Sequence, residues 1–148
     1  LARNQQEFQQ RFHQWYADRL WTGDHQAGDQ VLAERGLFPL DGFLRFWSEH
    51  NTRVIDMVPS ERLLIVRTQD IRQDIPRMAQ FMGVPADTLD PGRSHEYKAE
   101  AKLGLLREID PDYLQTCVQA RCKDLMDRFF PEIKQLSDVR GYRPQDAE

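Results

Sequence analysis

The sequence predicts an α/β fold that is mostly helical and contains one buried strand. The apolar run from Leu63 to Val66 is typical of a strand buried on both faces inside a parallel sheet. Elsewhere, apolar residues recur at helical spacing along most of the chain. Polar residues follow the run at Thr68–Asp70, and a helical pattern begins soon afterwards. The chain is therefore predicted to hold a strand–loop–helix unit, with its loop where α/β proteins bind ligands.

Six helices are predicted from apolar spacing and from capping residues. They cover residues 3–21, 26–35, 41–57, 74–82, 98–109 and 111–129, and residues 137–148 form a polar tail. Gly36 suits the end of the second helix. We expect Asp74 to cap the fourth helix, with Pro76 in its first turn and Gly83 at its end.

Two of these helices are predicted to carry much of the core. In helix 41–57 the aromatic residues Phe46 and Trp47 are interpreted as core residues. Helix 111–129 has a common apolar face that we expect to be buried, formed by Leu114, Val118, Leu125 and Phe129.

The predicted strand, Arg62–Arg67, raises a difficulty. A strand buried on both faces needs neighbours on both edges to pair its backbone N–H and C=O groups. No other segment of the chain is predicted to be a strand. Either the strand prediction is wrong, or the chain is a fragment whose partner strands lie elsewhere. The first residue, Leu1 rather than Met, favours a fragment or a processed chain.

Several short motifs of the chain resemble the sulfotransferase family. The residues concerned are Thr68-Gln69-Asp70-Ile71, Asp74-Ile75-Pro76, Phe81-Met82-Gly83-Val84-Pro85 and, upstream, Trp47, Asn51 and Val54. The resemblance covers roughly residues 40 to 133. It implies that residues 1–136 are the carboxyl-terminal part of a P-loop-type sulfotransferase domain. Such enzymes transfer a sulfuryl group from 3′-phosphoadenosine-5′-phosphosulfate (PAPS) to a hydroxyl or amine acceptor.

The resemblance also implies a set of residues that contact the PAPS donor. In the family, the segment some twenty-five residues after the strand motif closes over the adenine. Here Ser94 and Tyr97 would contact the base, Arg93 and Lys98 a phosphate, and Thr68 would lie near the adenine where the family has tyrosine. The alternative is a solvated loop between helices, with Thr68 satisfying the last backbone groups of the strand. The family's phosphate loop is absent, so the chain is expected to be inactive alone.

No catalytic residue or metal site is predicted. The chain has no Walker-type phosphate loop, metal-ligand constellation or nucleophile elbow. Four histidines are scattered along it, at positions 13, 25, 50 and 95, and each is interpreted as structural or solvated. Asp70 is interpreted as a turn or cap acceptor.

Composition limits the remaining classes of function. The net charge of −4 gives no basic surface for nucleic acid or for anionic membranes, and no apolar run approaches a membrane span. Cys117 and Cys122 would point about 140° apart on one helix, so they cannot easily form a disulfide. A cytoplasmic protein is the simplest interpretation.

Two other functions remain open. One is a non-enzymatic, mainly helical protein-interaction module, associating through the aromatic face of the first helix (Phe8, Phe12, Trp15 and Tyr16). The other is a different strand–helix nucleotide-binding protein.

Overall fold

The structure, a computed structural model, describes residues 24–92 and 104–140, together with Gln14 and Tyr142. The chain divides into two compact units. Unit 1 comprises Leu1–Thr52 with Leu103–Glu148, and unit 2 comprises Arg53–Lys102. The α-helices are α1 (Gln30–Glu34), α2 (Leu40–Met57), α3 (Ile71–Met82) and α4 (Pro111–Phe129). Short 3₁₀ turns occupy Ala27–Asp29, Ser60–Arg62, Thr68–Asp70, Ala86–Thr88, Leu105–Arg107 and Leu136–Asp138.

The predicted buried strand is wrong, and with it the α/β fold. Leu63 (φ −121°, ψ 117°) and Arg67 (φ −75°, ψ 137°) have extended backbones, but the described residues contain no strand and no sheet. Without sheet neighbours, the apolar run cannot be covered on both sides. The side chains of Leu63, Leu64 and Val66 are half-buried, and that of Ile65 is exposed. The described part of the chain is mainly helical.

Unit 1 is built around a hydrophobic core contributed by α1, α2, α4 and the turns beside them. Its buried members are Leu32, Leu40, Ile109, Leu114, Cys117 and Tyr142. Half-buried side chains, including those of Val118, Leu136 and Val139, pack against them. Two of the contributing residues, Val139 and Tyr142, lie in the segment whose composition predicts a polar tail.

The predicted bounds of helix α4, residues 111 and 129, are both confirmed. The Asp110 carboxylate accepts a hydrogen bond from the backbone N–H of Tyr113 at 2.7 Å, and Pro111 occupies the first turn. An N-cap carboxylate and a proline in this position both favour helix initiation. Leu114 and Leu125 are buried as predicted, whereas Val118 and Phe129 are half-buried.

Tight packing joins α4 to the turn before α1. A Cβ atom added to Gly28 would lie 2.4 Å from Cβ and Cγ of Tyr113, so no larger side chain fits there without movement. The carbonyl oxygen of Gly28 also accepts a hydrogen bond from the backbone N–H of Asp110, at 2.9 Å. Gly28 therefore lets two segments distant in sequence approach closely at the start of α4.

Helix α2 confirms the predicted helix 41–57 but not its predicted core residues. Trp47 is 38% exposed, so its interpretation as a core residue is wrong. Phe46 is half-buried and stacks with His50, with ring centroids 6.2 Å apart and an interplanar angle of 18°. The buried residues of this helix, Leu40 and Gly42, lie instead in its first turn.

Unit 2 contains α3, which begins three residues earlier than predicted. Asp74 lies inside the helix rather than at its N-cap, and Pro76 lies in the second turn. Ile75 and Ala79 are the buried residues of the helix. The predicted stop at Gly83 is confirmed, since this residue adopts the left-handed conformation with φ 69°.

The predicted helix 3–21 and most of the predicted helix 98–109 lie outside the described residues. The described end of the latter is the 3₁₀ turn Leu105–Arg107 rather than an α-helix. Among the described residues, no helix is both long and apolar enough to cross a membrane.

Candidate functional site

Of the five residues predicted to bind the PAPS donor, the structure describes one. Thr68 is exposed and is the first residue of the 3₁₀ turn that leads into α3. The other four, Arg93, Ser94, Tyr97 and Lys98, lie outside the described residues.

The charged groups around Thr68 form ion pairs within unit 2. The guanidinium of Arg67 donates to the carboxylate of Asp70 at 2.5 Å. Arg77 donates to the backbone carbonyl of Ile65 at 2.5 Å and to the carboxylate of Asp74 at 3.1 Å. Asp70 thus takes part in a turn, in agreement with its structural interpretation. Arg77 connects the extended segment to α3, so this pair of contacts fixes the backbone before Thr68.

A second group of ionisable side chains, two thiols and a phenol, lies on α4 in unit 1. Cys117 and Cys122 are both buried and both free thiols. Burial raises the pKa of each thiol. Burial, together with a hydrogen bond to Cys117, also raises the pKa of the Tyr113 hydroxyl. Since the thiolate is the nucleophilic form of cysteine, these conditions favour inert core thiols over a catalytic pair.

The described histidines have structural contacts. His25 Nε2 lies 2.9 Å from the carbonyl oxygen of Leu37, a contact that joins the segment before the turn Ala27–Asp29 to the loop before α2. His50 stacks with Phe46, as described above. His13 and His95 lie outside the described residues. Within residues 24–92 and 104–140, no group of three His, Cys, Asp or Glu side chains could hold a metal ion.

The most distinctive surface of the described residues is apolar. Phe81, Met82 and Val84 are 45%, 51% and 37% exposed, and we call these three residues the apolar end of α3. They surround the left-handed Gly83, where the chain leaves the helix. Ile65, another exposed apolar residue, lies on the segment that Arg77 connects to α3. Unit 2 therefore presents large apolar side chains to solvent, three of them at the carboxyl end of α3.

Helical geometry predicts this exposed surface, although it is not among the sequence-based predictions. Phe81 follows Ala79 by two residues, which is a rotation of about 200° around the helix axis. Because Ala79 is buried, Phe81 must lie on the opposite side of α3. In the sequence, Phe81 and Met82 belong to the stretch that resembles a family motif, and that resemblance gives no information about what they contact.

Comparisons with protein-family models, with curated proteins and with solved structures find no match for this chain. These comparisons therefore neither support nor oppose the resemblance to sulfotransferases.

Proposed function

We propose that this protein is a non-enzymatic, mainly helical interaction module that forms a homodimer through the apolar end of α3. The observation that carries the proposal is the exposure of Phe81, Met82 and Val84 within four consecutive residues. Removing apolar surface from water is favourable by roughly 25 cal/mol per Å². Covering these three side chains would therefore provide a driving force for association.

The residue types at this surface suit a protein interface. Aromatic residues and methionine are enriched at the centres of interfaces, and methionine adapts its shape to irregular neighbours. Charges of both signs flank the apolar end of α3: Arg77 lies one turn earlier on the helix, and the exposed Asp87 lies in the turn Ala86–Thr88 that follows. A polar rim around an apolar centre is the usual arrangement of an interface.

A second copy of the chain is the partner that needs the fewest assumptions. Two-fold homodimers are the commonest soluble oligomers, and their interfaces use the same surface on both subunits. A single apolar surface is then sufficient.

Sedimentation equilibrium on the full chain over a range of concentrations tests the dimer. We expect the mean mass to rise from that of one chain towards that of two. Phe81→Glu and Met82→Glu should each keep the chain monomeric, since a buried unpaired carboxylate at the interface is strongly unfavourable. Gln80→Glu is the matched control, because it adds the same charge at an exposed neighbour without removing an apolar side chain.

The result has two outcomes that would overturn the proposal. One is a wild-type chain that remains monomeric at about 1 mM, a concentration at which even weak specific complexes form. The other is a dimer that survives both substitutions. Circular dichroism of each variant measures whether the total helix content is unchanged, so that loss of association is not confused with loss of structure.

We also propose that the protein is cytoplasmic. The free thiols of Cys117 and Cys122 support this compartment, because reducing conditions keep cysteines unpaired.

The second candidate function is transfer of a sulfuryl group from PAPS to a hydroxyl or amine, by a larger protein to which this chain contributes Thr68 and residues 93–98. One specific observation favours it. The segment that carries the resemblance forms a helix that stops at Gly83, where the motif has its glycine, and Thr68 is solvent-accessible at the opposite end. A side chain at that end is accessible to a ligand.

Calorimetric titration with adenosine 3′,5′-bisphosphate, the product of the donor, tests this candidate. We expect weak binding by the chain alone, because the phosphates lack the backbone N–H groups of a phosphate loop. Thr68→Ala and Tyr97→Ala should weaken it further, whereas Thr52→Ala, at an exposed threonine of α2, should not. Absence of binding, or equal affinities in all variants, would refute the assignment of these residues and would leave the dimer proposal untouched.

A further inference from the structure

We draw no further inference here: the strongest candidate, the aromatic surface of α2 around the exposed side chain of Trp47, carries no proposal because nothing in the described residues shows what covers it.

Discussion

Asp29 is the most completely enclosed polar side chain among the described residues, with an exposure of 0%. One carboxylate oxygen accepts a hydrogen bond from the backbone N–H of Gln26 at 2.7 Å. The other accepts one from the backbone N–H of Leu40 at 2.8 Å. The first N–H groups of a helix have no partner within that helix, so Asp29 supplies one for the first residue of α2. A single side chain thereby fixes both the turn Ala27–Asp29 and the start of a helix eleven residues later.

Replacing Asp29 tests how much this carboxylate contributes. We expect Asp29→Ala to lower the free energy of unfolding by about 2–4 kcal/mol, because the buried N–H of Leu40 and the partly buried N–H of Gln26 lose their acceptor. Asp29→Asn keeps one acceptor oxygen of nearly the same shape and should lose less. Asp24→Ala, at a neighbouring exposed aspartate, is the matched control. Urea titrations of the four proteins measure the differences, and equal midpoints for Asp24→Ala and Asp29→Ala would show that the contacts are dispensable.

At the scale of elements, the strand prediction failed because it depended on partners. The four apolar residues Leu63–Val66 are compatible with a strand, but a strand is stable only when its backbone groups pair with a neighbour. No such neighbour exists among the described residues, and the segment is an extended connection between two 3₁₀ turns. A local apolar run specifies neither the partner nor the face that will be covered.

The predictions that succeeded depended on interactions a few residues apart. The bounds of α4, the helical spacing along α2 and the stop at Gly83 follow from capping, apolar spacing and glycine chemistry, all of which are local. The contact between Asp29 and Leu40 and the close approach of Gly28 to Tyr113 join distant segments, so no pattern in the sequence indicated them. The same limit applies to the candidate site. Helical geometry predicts that Phe81 is exposed, but the sequence does not predict which residues surround it.

Helix α4 allows a direct test of its buried face. Leu125 is buried, and its replacement by alanine should lower the free energy of unfolding by about 2–5 kcal/mol through lost contacts and a residual cavity. Gln119→Ala changes an exposed position of the same helix and should alter stability by less than about 0.5 kcal/mol. A urea titration compares the two variants with the wild type. A change under about 0.5 kcal/mol for Leu125→Ala would mean that the cavity collapses or that the face is not tightly packed.

At the scale of the whole molecule, four thiol and phenol groups of unit 1 share one direction of pKa shift. Burial raises the pKa of Cys117, Cys122, Tyr113 and Tyr142, so folding favours the neutral form of all four. In the unfolded chain these groups would lose their protons near their ordinary values, 9.0 for cysteine and 10.0 for tyrosine. The stability of the fold is therefore linked to pH on the alkaline side.

The sign of that linkage gives the last prediction. Above about pH 9 the unfolded chain binds fewer protons than the folded one, so the free energy of unfolding must fall as pH rises. Each group contributes at most about 1.4 kcal/mol per pH unit, between its unfolded and its folded pKa. Urea titrations from pH 7 to pH 10.5 should therefore show a level region followed by a steepening loss. Cys122→Ala removes one of these groups and should flatten the loss, whereas the exposed Thr116→Ala should not. A free energy of unfolding that stays constant to pH 10.5 would contradict the burial of these groups.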